Sequence, residues 1–372
     1  MAKGADVIII GGGIIGVACA YALTRAHVKR VVLIERGKLG REASRASAGM
    51  LVPQGEAEGP GPFLDLCLAA RDRYRTLADE LRDATGEDIE YCRWGLLYLV
   101  DPTEHEAAKG RAAWQRAAGL RVEELSGREV RALEPVLNPE IGGALFFPDE
   151  AHVRPCTVVS ALAEGARAGG AQILENVEAI DFVLDEDRVR GVNVGGKTFL
   201  ADTVVACAGA WSGRLLDLIG HGLPMEPVRG QIVRTRFDRP LLTHLVWGSL
   251  GYLVPRLNGE LLIGTTVEQA GFASTPTLAG VTGLCGAAKA MVPTLMSAPF
   301  DRVWAGLRPR LPDGLPAIGR FANIPNLVVA TGHYRSGILL GPLTGELLAD
   351  LILGKKPPFP LEAFSPDRFA GQ

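Results

Sequence analysis

The residues with the clearest chemical meaning lie near the start of the chain: three spaced glycines, Gly11, Gly13 and Gly16, and the acidic residue Glu35. Gly11 permits a tight turn, Gly13 lets backbone N–H groups approach a diphosphate, and Gly16 lets a helix pack on a strand. The N-terminus of that helix supplies positive potential to phosphates. Glu35 can accept hydrogen bonds from ribose hydroxyls, and its charge disfavours the 2′-phosphate of NADP. The pattern therefore predicts a dinucleotide site, which FAD and NAD fit equally well.

The elements around these residues must form a strand, a helix and a second strand to position them. Residues 6–10 and 31–35 are short β-branched runs, and residues 14–25 are rich in alanine, so they predict a βαβ unit. The alternative is an ordinary strand–turn–helix corner with a surface glutamate. Residues 41–50 are small and polar, unlike the second helix of an NAD-binding unit, and they predict a loop that passes beneath a flavin.

The rest of the chain predicts two interleaved domains. Residues 171–206 have the alternation of a β-meander, whereas the strands near 94–100, 232–236, 252–255 and 261–264 suit a second sheet. We therefore expect an α/β fold: a Rossmann-type FAD-binding domain with an interleaved α+β substrate domain built on a mixed or antiparallel sheet. The predicted FAD-binding domain comprises residues 1–55, 145–220 and 300–372, and the substrate-binding domain comprises residues 56–144 and 221–299.

The composition excludes several classes of partner. A formal net charge of -3 over 372 residues gives no broad positive field for nucleic acid or anionic lipid. The apolar stretch 7–23 is interrupted by three consecutive glycines, so we expect neither a signal peptide nor a membrane span. The six cysteines have no CxxC spacing, which predicts no metal site and buried free thiols in a reducing cytoplasm.

Six short motifs spread along the chain carry a more specific signal. In order they are GGGIIG (11–16), ASAGM (46–50), AGAWS (208–212), YLVPR (252–256), AGLRP (305–309) and GHYRSGIL (332–339). With these motifs the chain resembles the FAD-dependent D-amino-acid oxidase and glycine oxidase family, and within it the glycine oxidase branch of thiamine biosynthesis.

The resemblance implies a set of cofactor contacts. Glu35 and Arg36 would meet the adenosine end, Val177 would contact adenine through its backbone, and residues 332–339 would pass the pyrimidine side of the flavin. The full implied set is Gly11, Gly13, Ile14, Ile15, Gly16, Glu35, Arg36, Ala43, Ser44, Ala48, Gly49, Met50, Val177, Gly209, Trp211, His333, Tyr334, Arg335, Ser336, Gly337, Ile338 and Leu339. No cysteine follows Arg308, where the sarcosine oxidase relatives attach flavin, so the FAD is expected to be non-covalent.

The resemblance also implies a substrate end made of Arg308, Tyr252 and Arg335. A guanidinium offers an amino-acid carboxylate a fixed fork of donors, so Arg308 is the predicted clamp and the Tyr252 hydroxyl a second donor. For any single arginine the alternative is a surface salt bridge, and we assign Arg310 to that class. His333 has no adjacent acidic residue to orient a catalytic imidazole, so we expect it to abut the flavin through its backbone.

The activity implied is oxidation of glycine, sarcosine or a small D-amino acid. Hydride transfer from the substrate Cα to flavin N5 would give an imine, which hydrolyses to a keto acid and ammonia while O2 is reduced to hydrogen peroxide. One alternative is a D-amino-acid or hydroxyproline dehydrogenase that passes electrons to a quinone or a partner subunit. Another is a flavoprotein subunit without catalysis of its own. The relatives also suggest a homo-oligomer.

Overall fold

The computed structural model describes residues 4–186 and 188–370. Its strands, in chain order, are β1 (Ala5–Ile10), β2 (Val31–Glu35), β3 (Met50–Leu51), β4 (Leu96–Leu99), β5 (Glu123–Ser126), β6 (Gly143–Phe147), β7 (Ala151–His152), β8 (Gln172–Glu175), β9 (Ala179–Asp185), β10 (Arg188–Val194), β11 (Lys197–Ala206), β12 (Glu226–Arg236), β13 (Leu245–Gly248), β14 (Gly251–Pro255), β15 (Glu260–Gly264), β16 (Phe300–Arg310), β17 (Ala317–Phe321) and β18 (Ile324–Thr331). Its α-helices are α1 (Ile14–Arg25), α2 (Ala43–Ala46), α3 (Pro53–Glu56), α4 (Pro62–Thr85), α5 (His105–Ala117), α6 (Gly127–Leu133), α7 (Pro155–Ala168), α8 (Ser212–Asp217), α9 (Leu278–Met291) and α10 (Gly337–Ile352).

The first sheet has eight strands. Six have the order β17-β18-β11-β1-β2-β8 and are parallel except for β17, and the antiparallel β9–β10 pair joins them through β11. Its central strands are runs of buried Val, Ile and Leu because both faces are covered. Residues of α1, α4, α7 and α10 share one core with this sheet, and residues of the antiparallel β9–β10 pair share a second core with it. The predicted βαβ opening and meander are therefore confirmed.

The second sheet has the order β16-β12-β15-β14-β13-β4-β6-β5, and it is antiparallel except where β13 pairs with β4. This mixed sheet, beside the Rossmann-type sheet, confirms the predicted fold class. Two strands lie in a different sheet from the one that the predicted boundaries imply. Both β6 and β16 belong to the second sheet. β6 lies between β4 and β5, and β16 pairs with β12 along most of its length. The division into domains itself stays a prediction.

Two expectations drawn from composition concern membranes and metals. Among the described residues, no helix is both long enough and apolar enough to cross a membrane. Within those same residues, no cluster of three or more His, Cys, Asp or Glu side chains could hold a metal ion. The six cysteines are free, but Cys156 is exposed and Cys285 half-buried, so the expectation of uniformly buried thiols was wrong for these two.

Candidate active site

A cavity of about 620 Å³ lies between the two sheets. The carboxyl ends of β1, β2, β11 and β18 open into it from one side, and β12, β13, β14 and β16 contribute residues from the other. In open parallel sheets this edge is where ligands bind. The predicted site residues that line the cavity are Gly11, Gly13, Ile14, Ile15, Glu35, Arg36, Ala43, Ser44, Ala48, Met50, Gly209, Trp211, Tyr252, Arg308, His333, Tyr334, Arg335, Ser336, Gly337, Ile338 and Leu339.

The three glycines of the opening turn differ in what surrounds them. Gly11 has φ +107°, and a Cβ there would lie 2.4 Å from the carbonyl oxygen of Cys207. A Cβ on Gly16 would lie 1.9 Å from the carbonyl oxygen of Gly11, so Gly16 packs behind the cavity lining. A Cβ on Gly13 would meet only the Ser44 hydroxyl, at 3.5 Å. Gly11 and Gly16 are thus required by packing, whereas Gly13 keeps space open in the cavity.

The segment after β2 contacts the glycine turn through Ser44. The Ser44 hydroxyl accepts a hydrogen bond of 2.9 Å from the N–H of Ile14, at the start of α1, whose N-cap Gly13 has no side chain to do so. The predicted loop here contains the short helix α2. Gly49 has φ +74° and lies against the Val153 carbonyl, so it shapes the backbone behind the lining and does not line the cavity.

The far end of the cavity is formed by Glu35, Arg36 and Trp211. Both oxygens of the Glu35 carboxylate accept backbone N–H groups, one from Gly12 and one from Gly37, each at 2.7 Å. The Arg36 guanidinium lies 3.8 Å from the centroid of the Trp211 ring, within range of a cation–π interaction.

Val177 lies behind this end of the cavity. Its N–H donates to the Glu35 carbonyl at 3.0 Å, and its side chain packs against the core of the first sheet. Residues 178–180 line the cavity instead. The predicted contact of Val177 with adenine stays a prediction.

The opposite end of the cavity brings together Arg308 and Tyr252. Arg308 donates from Nη2 to the Thr265 hydroxyl at 2.6 Å and from Nη1 to the Thr266 carbonyl at 3.2 Å. Its guanidinium lies over Gly230, where a Cβ would be 2.1 Å from Nη2. Burial raises the pKa of Tyr252, although the nearby Arg308 charge opposes this, so its hydroxyl remains a neutral donor.

Arg335 faces this same end and pairs with a residue that sequence reasoning missed, Glu56. Arg335 Nε lies 3.2 Å from Glu56 Oε1, and its guanidinium is 4.9 Å from the centroid of the Trp247 ring. Burial raises the pKa of Glu56, while the charges of Arg335 and Arg308 act in the opposite direction. No local pattern could have identified Glu56, because its partner Arg335 lies far along the chain.

Glu56 is held in place by a buried polar cluster beneath α3. Gln54 is fully buried and donates from Nε2 to Gln115 Oε1 at 3.0 Å. The Gln54 N–H and Arg71 Nη1 both lie 3.3 Å from Glu150 Oε1. Burial raises the pKa of Glu150 to about 8. This cluster fixes the helix that carries the Glu56 carboxylate into the cavity.

Arg256 ends the YLVPR motif, but the sequence did not indicate a role for it. It is buried, and it donates from Nη1 to the Val153 carbonyl at 2.6 Å and from Nη2 to the Ala48 carbonyl. Burial lowers its pKa to about 10. Arg256 therefore ties the backbone of the cavity-lining segment around Ala48 to the second sheet.

His333 and Arg310 differ in their surroundings, and the predicted backbone contact of His333 with the flavin stays a prediction. His333 is buried, its Nε2 lies 3.2 Å from the Thr344 hydroxyl, and burial lowers its pKa to about 3, so the imidazole is neutral. Arg310 is 41% exposed and lies 3.3 Å from Glu226, which is a surface ion pair. Only Pro309 separates Arg310 from Arg308, yet Arg310 does not line the cavity.

The Rossmann-type sheet, its glycine turn and the cavity that ends at Arg308 define a dinucleotide-binding oxidoreductase. The chain matches the family model described as FAD dependent oxidoreductase over residues 6–351, and it belongs to that family. Because this family is defined by its dependence on FAD, the protein is an FAD-dependent enzyme of the amino-acid oxidase type.

Several of the individual relatives are glycine oxidases. The chain is 38% identical to the glycine oxidase of Bacillus licheniformis over 357 residues, which cover 95% of this chain and 94% of that protein. It is 36% identical to the bifunctional protein ThiO/ThiG of Synechocystis over 371 residues, which cover 98% of this chain and 54% of that protein. The crystal structure of glycine oxidase from Geobacillus kaustophilus superposes with a TM-score of 0.95 at 36% identity, covering 99% of this chain and all of that one. The predicted family resemblance is thereby confirmed.

Proposed function

We propose that the protein oxidises glycine or another small amino acid or amine, such as sarcosine or a small D-amino acid, with O2 as the electron acceptor. The observation that carries this proposal is the convergence of the Arg308 guanidinium and the Tyr252 hydroxyl at one end of a cavity whose other end is the glycine turn. The similarity to glycine oxidases supports the same substrate class.

The residues around the glycine turn fit a non-covalently bound FAD. Gly13 leaves room where a side chain would project, and α1 points its N-terminus at that space. Glu35 and Arg36 suit the adenosine end. Pro309 follows Arg308, and burial raises the pKa of the cavity-lining Cys207 thiol to about 12, which keeps it from acting as a nucleophile. When bound, FAD accepts a hydride from the substrate and passes the electrons to dioxygen.

The remaining side chains bind and orient the substrate. Arg308 has N–H groups beyond the two that hold Thr265 and Thr266, and with the Tyr252 hydroxyl they would grip the carboxylate. Fixing the carboxylate fixes Cα and the amine, so orientation supplies much of the rate enhancement and no side-chain base is required. Trp247 and Met50 line the cavity beside this end and favour a small substrate.

The proposed reaction balances in two half-reactions. The amine loses two electrons and two protons to become an imine, and water then converts the imine of a primary amine to the keto acid and ammonia, or that of sarcosine to glyoxylate and methylamine. Dioxygen takes up two electrons and two protons to become hydrogen peroxide. For glycine the products are glyoxylate, ammonia and peroxide.

Anaerobic mixing of the yellow holoprotein with glycine, sarcosine, D-alanine and D-proline tests the proposal directly. We expect at least one of them to bleach the flavin absorbance, and admission of air to restore it with one peroxide per amine consumed. Turnover only with an artificial acceptor would establish the dehydrogenase alternative in place of the oxidase. A flavin that none of these substrates reduces would favour a non-catalytic subunit. The proposed homo-oligomeric state and cytoplasmic location call for sedimentation analysis and cell fractionation.

A further inference from the structure

Helix α10 begins at the cavity and contains a proline, Pro342, one turn after its start. In a regular helix the N–H of residue 342 would donate to the carbonyl of residue 338. Proline has no N–H, so Pro342 cannot make this bond, and Ile338 is buried. A buried carbonyl without a donor is strongly unfavourable, so the Ile338 carbonyl requires a partner from elsewhere.

Tyr74 on α4 supplies that partner. Its hydroxyl donates to the Ile338 carbonyl at 2.6 Å, and its side chain is fully buried. Burial raises the pKa of Tyr74 well above its usual value, so the phenol keeps the proton that it donates. The hydroxyl of a second helix therefore replaces the N–H that Pro342 lacks.

Other contacts between the two helices hold the same part of α10. Cys67, two turns before Tyr74 on the buried face of α4, lies beside the Ser336 hydroxyl at the N-cap of α10. Arg73 Nε donates to Glu346 Oε1 at 2.7 Å further along the helix. Because Ser336 and Ile338 also line the cavity, α4 determines where the first turn of α10 stands relative to a bound ligand.

We infer that Tyr74 is a positioning residue for FAD: by donating to the carbonyl orphaned by Pro342, it fixes the first turn of α10 against the isoalloxazine. This inference rests on the proposed placement of the flavin beside α10. In the apoprotein the turn is free to relax toward the open cavity, whereas bound FAD holds it in place. The penalty of an unpaired Ile338 carbonyl therefore falls on FAD binding.

A rescue experiment tests the inference. Tyr74→Phe removes only the donor and leaves the ring, and we expect apoprotein titrated with FAD to bind it about tenfold more weakly, with altered visible absorption of the bound flavin. Pro342→Ala alone restores an N–H at position 342 and is expected to bind FAD like the wild type. The double variant Y74F/P342A supplies the missing donor from within the helix, so its FAD affinity should return to within about threefold of wild type.

Tyr21→Phe is the matched control, because the Tyr21 hydroxyl meets Arg25 at 3.1 Å on α1 and does not line the FAD cavity. It should leave FAD affinity unchanged. An FAD affinity and flavin spectrum of Y74F equal to those of wild type would overturn the inference. A double variant that binds FAD as weakly as Y74F would also overturn it, since that outcome means that the hydroxyl acts only through packing. If Y74F does not fold, the double variant decides: recovered folding with FAD binding supports the inference, and continued misfolding overturns it. Failure of the proposed amine oxidation would appear in the substrate assays and leave these cofactor titrations unaffected.

Discussion

Replacement of Arg308 by alanine removes the group that we expect to hold the substrate carboxylate. The guanidinium is oriented by the Thr265 hydroxyl and the Thr266 carbonyl, and the lack of a side chain at Gly230 leaves it space to lie flat. A planar fork can donate two parallel hydrogen bonds to a carboxylate, and each bond to a charged group contributes about 1.5–3 kcal/mol.

Loss of both bonds therefore removes about 3–6 kcal/mol, which lowers kcat/KM by a factor of about 10² to 10⁴. Arg308→Lys keeps the charge but cannot reproduce the fork, so its expected loss is about one bond, or a factor of about 10 to 10². Because the clamp both binds the carboxylate and orients Cα over the flavin, we expect KM to rise and kcat to fall.

Steady-state oxygen consumption and the concentration dependence of anaerobic flavin bleaching measure these changes. Arg310→Ala is the matched control: it lies two residues along β16, and its exposed pair with Glu226 contributes only about 0–1 kcal/mol. Its kcat/KM should stay within about threefold of wild type. An Arg308→Ala enzyme that is as active as the Arg310→Ala enzyme would falsify the carboxylate clamp.

Four further substitutions separate packing from ligand contact and test the titration of buried groups. Gly13→Ala should weaken FAD binding at least about tenfold with little change in apoprotein Tm. Gly16→Ala should instead lower the Tm, because its Cβ would collide with the Gly11 carbonyl. Equal losses of Tm in the two variants would contradict this distinction. The raised pKa of Glu150, about 8, means that its stabilising contribution is complete below its ordinary pKa of about 4.5 and is lost as the pH rises toward 8. In thermal melts, the Tm of Glu150→Gln should therefore rise relative to the Tm of wild type as the pH increases across this range. A Tm difference that stays constant with pH would contradict the raised pKa of Glu150. His333 is neutral above a pKa of about 3, so His333→Asn should keep the wild-type shape of kcat/KM from about pH 5 to about pH 10; loss of a limb of that profile would assign the residue an acid–base role.

The parts of this protein that sequence alone predicted depend on local chemistry. The glycine turn, its flanking strands and the helix α1 are determined by neighbouring residues, since strand and helix periodicity and glycine conformations are properties of short segments. The family motifs extended this to Arg308 and Tyr252, which no local pattern connects.

Long-range contacts were beyond the same reasoning. Glu56 meets Arg335 from the opposite end of the chain, and it is carried on a short helix whose position depends on the buried Gln54. The sheet membership of β16 was missed for a related reason: strand pairing is decided by partners distant in sequence, and β16 is an ordinary strand by its own pattern.

The contact between β16 and α2 links the two ends of the cavity. A Cβ on Gly306 would lie 2.4 Å from the Ala46 Cβ, and Trp304 Nε1 donates to the Ala46 carbonyl at 3.1 Å. The strand β16, which bears Arg308, therefore packs against α2, the helix that contains Ser44. We therefore expect a ligand that orders this helix to stiffen the strand beneath the guanidinium as well, and so to couple the affinity for cofactor to the affinity for carboxylate. Such coupling is reciprocal: the factor by which FAD tightens the binding of a carboxylate inhibitor equals the factor by which that inhibitor tightens the binding of FAD.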